Sequence, residues 1–242
     1  MTDTEKRALW ITGGGSGMGR AVARAAAGNG WSVAVSGRRR DVLEAVVAEI
    51  TADGGDAIAV PLDVRDRSAV NQAAQKVVEA FGGLHGLVLA AGQNAPRRRW
   101  DDQDIEEFEA IVGTNLTAVA TAVDAALPHL RASQGTVVAI SSYAGWSFQP
   151  GAGVAYSASK TAVSSLVRSL NQQEAAHGVR ACHLCPGDVA TDFLEQRPQV
   201  PDAAARAVML SPEDIARTVS FVLESPAHVR IDELVVSPVS QA

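Results

Sequence analysis

The sequence predicts an α/β fold, a doubly wound three-layer sandwich around about seven parallel strands. Two observations predict it. Short apolar runs alternate with longer helix-period segments from end to end, and each parallel crossover needs a helix. A cluster of glycines also stands at the first strand-to-helix junction, in "ITGGGSGMGRAV". The 242 residues, 47% hydrophobic and 20% charged, suit one large domain with a full core or two small ones. No linker, low-complexity segment or internal repeat divides the chain, so residues 1–242 are read as one domain.

The elements follow in order. RALWIT (7–12) reads as the first strand, and GRAVARAAAGNG (19–30) as a helix stopped by glycine. WSVAVS (31–36) is a strand, and DVLEAVVAEI (41–50) its helix. DAIAVPLDV (56–64) is a third strand, followed by the helix SAVNQAAQKVVEAF (68–81) and the strand LHGLVLAAG (84–92). One long helix is expected over 104–130, then the strand GTVVAIS (135–141) and a helix carrying "AYSASKTAV" (155–163). The strand GVRACHLC (178–185), the helix PEDIARTVSFVLES (212–225) and the strand DELVVS (232–237) complete the pattern. Residues 189–210 break the alternation at a strand end, where doubly wound folds bind ligands. We read them as a substrate lid, with a structural helical insertion as the alternative.

Charge and composition narrow the function. A net charge of −6 argues against nucleic acid as the main partner. The stretch MTDTEKRALW has no apolar core of a secretory signal, and no apolar run approaches the roughly 18 residues that span a membrane. Two cysteines cannot build a disulfide framework, so a cytoplasmic location is expected.

The glycine turn fits neither of two familiar phosphate-binding templates. A P-loop would need Lys after Gly19, where Arg20 stands, and strict G-x-G-x-x-G from Gly13 ends on Met18. T-G-x-x-x-G-x-G does fit, through Thr12, Gly13, Gly17 and Gly19. Such a turn lets the backbone approach a pyrophosphate on the helix N-terminus, although a merely tight turn has the same composition. At the tip of the second strand a carboxylate would select NAD. Here Gly37 is followed by Arg38, Arg39 and Arg40. An arginine fork matches a 2′-phosphate, so NADP(H) is expected over NAD(H). A solvated Arg run opening a helix is the alternative.

Tyr156 and Lys160 lie one helical turn apart, so both side chains share a face. That is either an ordinary exposed face or a proton donor beside the charge that activates it. Together with the glycine turn, this Y-x-x-x-K resembles the short-chain dehydrogenase/reductases over nearly the whole chain. The resemblance implies a Rossmann-type domain in which Tyr156 is general acid and base. Its phenol titrates near 10 when unperturbed, so it needs help at neutral pH. Lys160 is expected to lower that value and to bond the nicotinamide ribose. Ser142 would hold the substrate oxygen, one residue further from the tyrosine than usual, with Ser141 as second candidate. Asn115 would anchor a proton-relay water.

The resemblance also implies a cofactor surface. It comprises Gly13, Gly15, Ser16, Gly17, Met18 and Gly19 at the turn, and Arg38 and Arg39 at the second strand. Asp63 and Val64 would meet adenine, and Ala91 and Gly92 would allow close approach. Pro186, Gly187, Val189 and Thr191 would hold the carboxamide. Leu89-Ala90 stands where the family commonly has an Asn pair. No metal is implied. A homotetramer, or a homodimer, packed through the helices of Asn115 and Tyr156 is expected.

The expected substrate is a small carbonyl compound or secondary alcohol. The tail HVRIDELVVSPVSQA is similar to that of NADP-dependent 3-hydroxy acid (serine 3-type) dehydrogenases, with Arg97, Arg197 or Arg206 pairing the carboxylate. A ketone or 3-oxoacyl reductase, or an NADP(H) sensor without turnover, are alternatives. Arg97–Arg99 otherwise read as a solvated charge run. Cys182, His183 and Cys185 read as core, because no further ligand pair is evident in the sequence. Trp146, Phe148 and Phe193 line the pocket or fill the core. His129 and His228 carry no legible role.

Overall fold

The structure, a computed structural model, describes residues 7–241. Residues 1–6, which hold most of the amino-terminal stretch considered for a signal, lie outside the described residues, as does residue 242.

Seven parallel strands form one sheet. They are β1 (Ala8–Thr12), β2 (Ser32–Gly37), β3 (Asp56–Pro61), β4 (Gly86–Leu89), β5 (Thr136–Ile140), β6 (Arg180–Pro186) and β7 (Glu233–Val236), in the order β3-β2-β1-β4-β5-β6-β7. Helices α1 (Gly17–Gly28), α2 (Arg40–Ala52) and α3 (Arg67–Phe81) follow the first three strands. Beyond β4 come α4 (Ile105–Val112), a π-helical turn (Gly113–Thr117) and α5 (Ala118–Ser133). Next are α6 (Tyr143–Trp146), α7 (Val154–Glu174), α8 (Ala203–Ala207) and α9 (Pro212–Leu223).

β1 shows why the sheet is covered on both faces. All five of its residues are buried. Trp10 points into a core shared with α3, α5 and α7, whereas Leu9 and Ile11 point into one shared with α1, α2 and α9. Alternation of side chains across a strand places successive residues on opposite faces, so a continuous apolar run fills two cores. Each large side chain contributes about 2 kcal/mol by leaving water. The Trp10 indole also donates to Ser36 Oγ at 2.9 Å, joining β1 to β2 inside the core.

The expected long helix is interrupted at Asn115 by the π-turn, an irregularity that apolar periodicity does not reveal. By length and composition alone the helix Ile105–Ser133 could cross a membrane, with a mean hydropathy of 1.4 over 18 residues, but Asn115 and Asp124 interrupt its apolar residues. Its buried face, with Ile111, Val119, Ala122, Val123, Ala126 and Leu130, lies against the rest of the protein.

The chain leaves β1 toward β2 on one side and continues through β4 on the other. Strand order reverses there, so the carboxyl ends of β1 and β4 diverge into a crevice.

Candidate active site

A cleft of about 970 Å³ opens at that crevice. Its floor is the turn between β1 and α1. Gly13 (φ +69°) and Gly17 (φ +50°) adopt left-handed backbone that glycine tolerates best. A Cβ at Gly13 would lie 2.6 Å from the Ala91 amide, and one at Gly19 would lie 2.2 Å from the Gly13 carbonyl. Ser16 caps α1 without a side-chain hydrogen bond. The first amides of α1 therefore keep donors for an anion. A bare helix N-terminus beside backbone too close for any side chain fits a dinucleotide's pyrophosphate.

Gly15, Ser16, Met18 and Gly19 line this end of the cleft, as do Arg38, Arg39, Asp63 and Val64. No carboxylate stands at the tip of β2. Arg65, which sequence reasoning did not single out, holds Asp63 at 2.8 Å, and that bond keeps the Asp63 carboxyl below its ordinary range.

The catalytic candidates converge from three elements. Asn115, on the π-turn, is 1% exposed. It accepts from the Gln93 amide at 2.8 Å and donates to the Gln93 carbonyl at 2.9 Å and to Ser159 Oγ at 3.2 Å. These bonds pin the chain beyond β4, where the usual Asn pair is replaced by Leu89-Ala90. Lys160, on α7, is 5% exposed, and its Nζ donates to the Ile140 carbonyl at 3.1 Å. Burial lowers its pKa to about 8. A Cβ on Gly92 would come within 3.7 Å of Asn115 Oδ1, 3.8 Å of Lys160 Nζ and 3.9 Å of Phe193, so Gly92 sits amid all three. Ala91 lines the same wall.

Tyr156 corrects one expectation. Its pKa is raised rather than lowered, because burial outweighs the hydrogen bond with Ser142 and the positive charges of Arg98 and Arg197. Lys160 Nζ stands 5.7 Å from the tyrosine ring centre and is not among the groups that shift it. Ser142 lies at the start of α6 on the cleft wall. Ser141 instead turns inward and donates to the Lys160 carbonyl at 3.1 Å, which removes it as the substrate serine.

Pro186, Gly187, Val189 and Thr191 line the cleft opposite the glycine turn. The carboxyl-terminal tail closes on them: Gln241 Oε1 accepts from the Asp188 amide at 2.8 Å. Past Val189, which bridges to Leu210, a 3-10 turn (Asp192–Gln196) lines the cleft, and α8 follows it. The Phe193 ring is centred 6.1 Å from that of Tyr156.

Several candidate residues fall elsewhere. Trp146 and Phe148 are exposed at 51% and 79% and do not line the cleft. Arg97 pairs outward with Asp104 and Glu107, and Arg206 with Glu195. Of the presumed solvated arginines, Arg98 turns inward and lines the cleft. His183 and Cys185 are buried in β6, and the β6–β7 register sets Glu233 beside His183, with Oε2 3.0 Å from Nδ1. That third potential ligand, invisible in the sequence, makes a cluster whose ligand atoms lie within 4.8 Å of one another.

With this geometry in place, comparison with known proteins is informative. The family model described as short chain dehydrogenase matches residues 7–201. A sulfoacetaldehyde reductase of Chromohalobacter salexigens is 34% identical over 96% of this chain and 94% of its own length. A glycine betaine reductase of Emericella nidulans is 35% identical over 94% of this chain, which spans only 18% of that protein. Among solved structures, an alcohol dehydrogenase from Thermococcus sibiricus complexed with 5-hydroxy-NADP has a TM-score of 0.89 at 30% identity, covering 98% of this chain and 99% of that one. A serine dehydrogenase complexed with NADP+ has a TM-score of 0.88 at 28% identity, covering 97% and 96%. A short chain dehydrogenase from Mycobacterium paratuberculosis bound to NAD has a TM-score of 0.84 at 28% identity, covering 96% of each. A carbonyl/CH–OH oxidoreductase site built for a nicotinamide dinucleotide thus lies in a chain that belongs to the short-chain dehydrogenase family.

Proposed function

We propose that the chain is an NADP(H)-dependent reductase of small carbonyl compounds, working in reverse as a dehydrogenase of secondary alcohols, with small 3-hydroxy acids as its substrate class. The observation that carries the reading is the convergence of Ser142, Tyr156, Lys160 and Asn115 beside Gly92 at the mouth of a dinucleotide cradle. When bound, the nicotinamide supplies or accepts hydride at the substrate carbon. Tyr156 gives the substrate oxygen its proton on reduction. A phenol whose pKa is raised by burial stays protonated at neutral pH, as a donor must. Ser142 orients the same oxygen. Lys160 holds the ribose and supplies positive charge, and Asn115 anchors a water that restores the proton. Arg38 and Arg39, with no carboxylate at the β2 tip, favour the 2′-phosphate form.

Residues 189–210 act as a lid over the substrate end of one domain spanning 1–242, a role in keeping with Phe193 standing across from Tyr156. The tail similarity to hydroxy acid dehydrogenases gains support from Gln241 closing on the Asp188 amide. A cytoplasmic homotetramer or homodimer through the helices of Asn115 and Tyr156 completes the reading. The test is Tyr156→Phe in NADPH oxidation assays over a panel of oxoacids, aldehydes and ketones. A drop of at least about 100-fold, with NADPH binding kept, is expected. Undiminished turnover would overturn the mechanism.

A further inference from the structure

Arg98 lines the cleft and is held by backbone carbonyls. Its Nε donates to the Ala95 carbonyl at 2.8 Å, Nη1 to Gly151 at 3.1 Å and Nη2 to Gln196 at 2.9 Å. One guanidinium therefore ties together the loop after β4, the loop before α7 and the lid. A guanidinium has five N–H donors, so two remain for a ligand. Its charge reaches Tyr156, as does that of Arg197, the lid residue whose guanidinium pairs with Asp188. Gly153 (φ +102°) bends the loop so closely around Arg98 that a Cβ there would lie 3.1 Å from Arg98 Cγ. The nearby acids do not neutralise Arg98. Asp188 serves Arg197 alone, and Asp192 is exposed. A half-buried arginine held only by carbonyls is costly without an anion to complete it.

We infer that Arg98 and Arg197 form the acid-recognition site for the substrate, receiving a terminal carboxylate or sulfonate a few bonds from the carbonyl carbon that Tyr156 serves. This rests on the reductase reading above and names the cations that give it specificity. Arg98 supplies its two free N–H groups from a fixed frame. Arg197 swings from Asp188 to the anion, so an acidic substrate draws the lid shut through residues the lid already shares with Arg98. A neutral carbonyl compound leaves Arg98 uncompensated and the lid held only by Asp188. The three segments joined at Arg98 make a short reach, which favours small acids over long acyl chains.

The test compares kcat/KM for 4-oxobutanoate and sulfoacetaldehyde with that for pentanal, in the wild type, Arg98→Met, Arg98→Lys and Arg197→Gln, each first shown to bind NADPH. The wild type is expected to favour the acids, the ratio of acid to pentanal falling about 30-fold or more in Arg98→Met and less in Arg98→Lys, mostly through KM. Arg197→Gln lowers the same ratio about tenfold and tests the site even if Arg98→Met does not fold. The two acids separate carboxylate from sulfonate recognition. An Arg98 that only braced the lid would lower acid and aldehyde turnover together, and that result overturns the inference, as does a wild type indifferent to charge. Malonate titrated into the NADP complex reads the site without turnover: binding by the wild type that weakens at least about tenfold in either variant is expected. Failure of Tyr156→Phe to lose activity would strike the mechanism, while the malonate result would still judge the arginines.

Discussion

Lys160 Nζ stands 5.7 Å from the centre of the Tyr156 ring while donating to the Ile140 carbonyl at 3.1 Å, so the buried ammonium near the ring is bonded to backbone. Burial brings its pKa down to about 8. An anionic dinucleotide bound against it favours the charged form, so binding must take up a proton once the pH passes about 8. We expect NADP affinity to weaken as pH rises from 8 to 10, and calorimetry in buffers of different ionisation enthalpy to register the uptake. Lys160→Met removes both effects. Flat affinity across that range would refute this account.

The same shift has a stability sign. The folded value lies below that of the unfolded chain, so folding pays fully for the charge below pH 8 and is relieved as pH rises from 8 toward 10.5. At pH 7, Lys160→Met should raise the unfolding free energy of the cofactor-free protein by on the order of 1–3 kcal/mol, seen in urea denaturation.

Gly13 and Gly30 share positive φ, +69° and +84°, but not surroundings. A Cβ on Gly13 meets backbone of Ala90 and Ala91 within 2.8 Å, whereas one on Gly30 meets nothing within 4 Å. Gly30→Ala should cost about 1 kcal/mol of backbone strain and leave NADPH affinity alone. Gly13→Ala should cost about 2–4 kcal/mol, since backbone cannot yield, and should abolish NADPH binding. Denaturation curves with fluorescence titration separate the two.

Gly37 adopts backbone open to any residue, and its added Cβ would stand 3.6 Å from Leu43, an ordinary contact. A carboxylate can therefore be introduced at the β2 tip without steric cost. Gly37→Asp with Arg38→Ala should move the NADPH/NADH ratio of kcat/KM by about 100-fold or more toward NADH. An unmoved ratio would show that the arginine run does not read the 2′-phosphate.

Much of this was legible because it depends on local order along the chain. Gly13 and Gly19 announce a turn whose backbone geometry follows from the residues in it, and Tyr156 and Lys160 announce a shared face through helical spacing alone. Ser142 and Ser141 show where that legibility ends. Both are strand-end hydroxyls, and only the tertiary placement of α7 turns Ser141 inward onto the Lys160 carbonyl. The π-turn at Asn115 is similarly silent, since periodicity reads apolar faces and not hydrogen-bond register.

The sequence by itself determined the alternation of strands and helices, the glycine turn and the candidate residues Tyr156 and Lys160 on one helix face, because period and spacing act within a few residues. Tertiary structure alone decided which of three consecutive arginines faces the cleft, that burial rather than Lys160 governs the Tyr156 phenol, and that Glu233 stands beside His183. Those outcomes rest on desolvation and on contacts between residues far apart in the chain, and neither exists until the sheet has closed over its two cores.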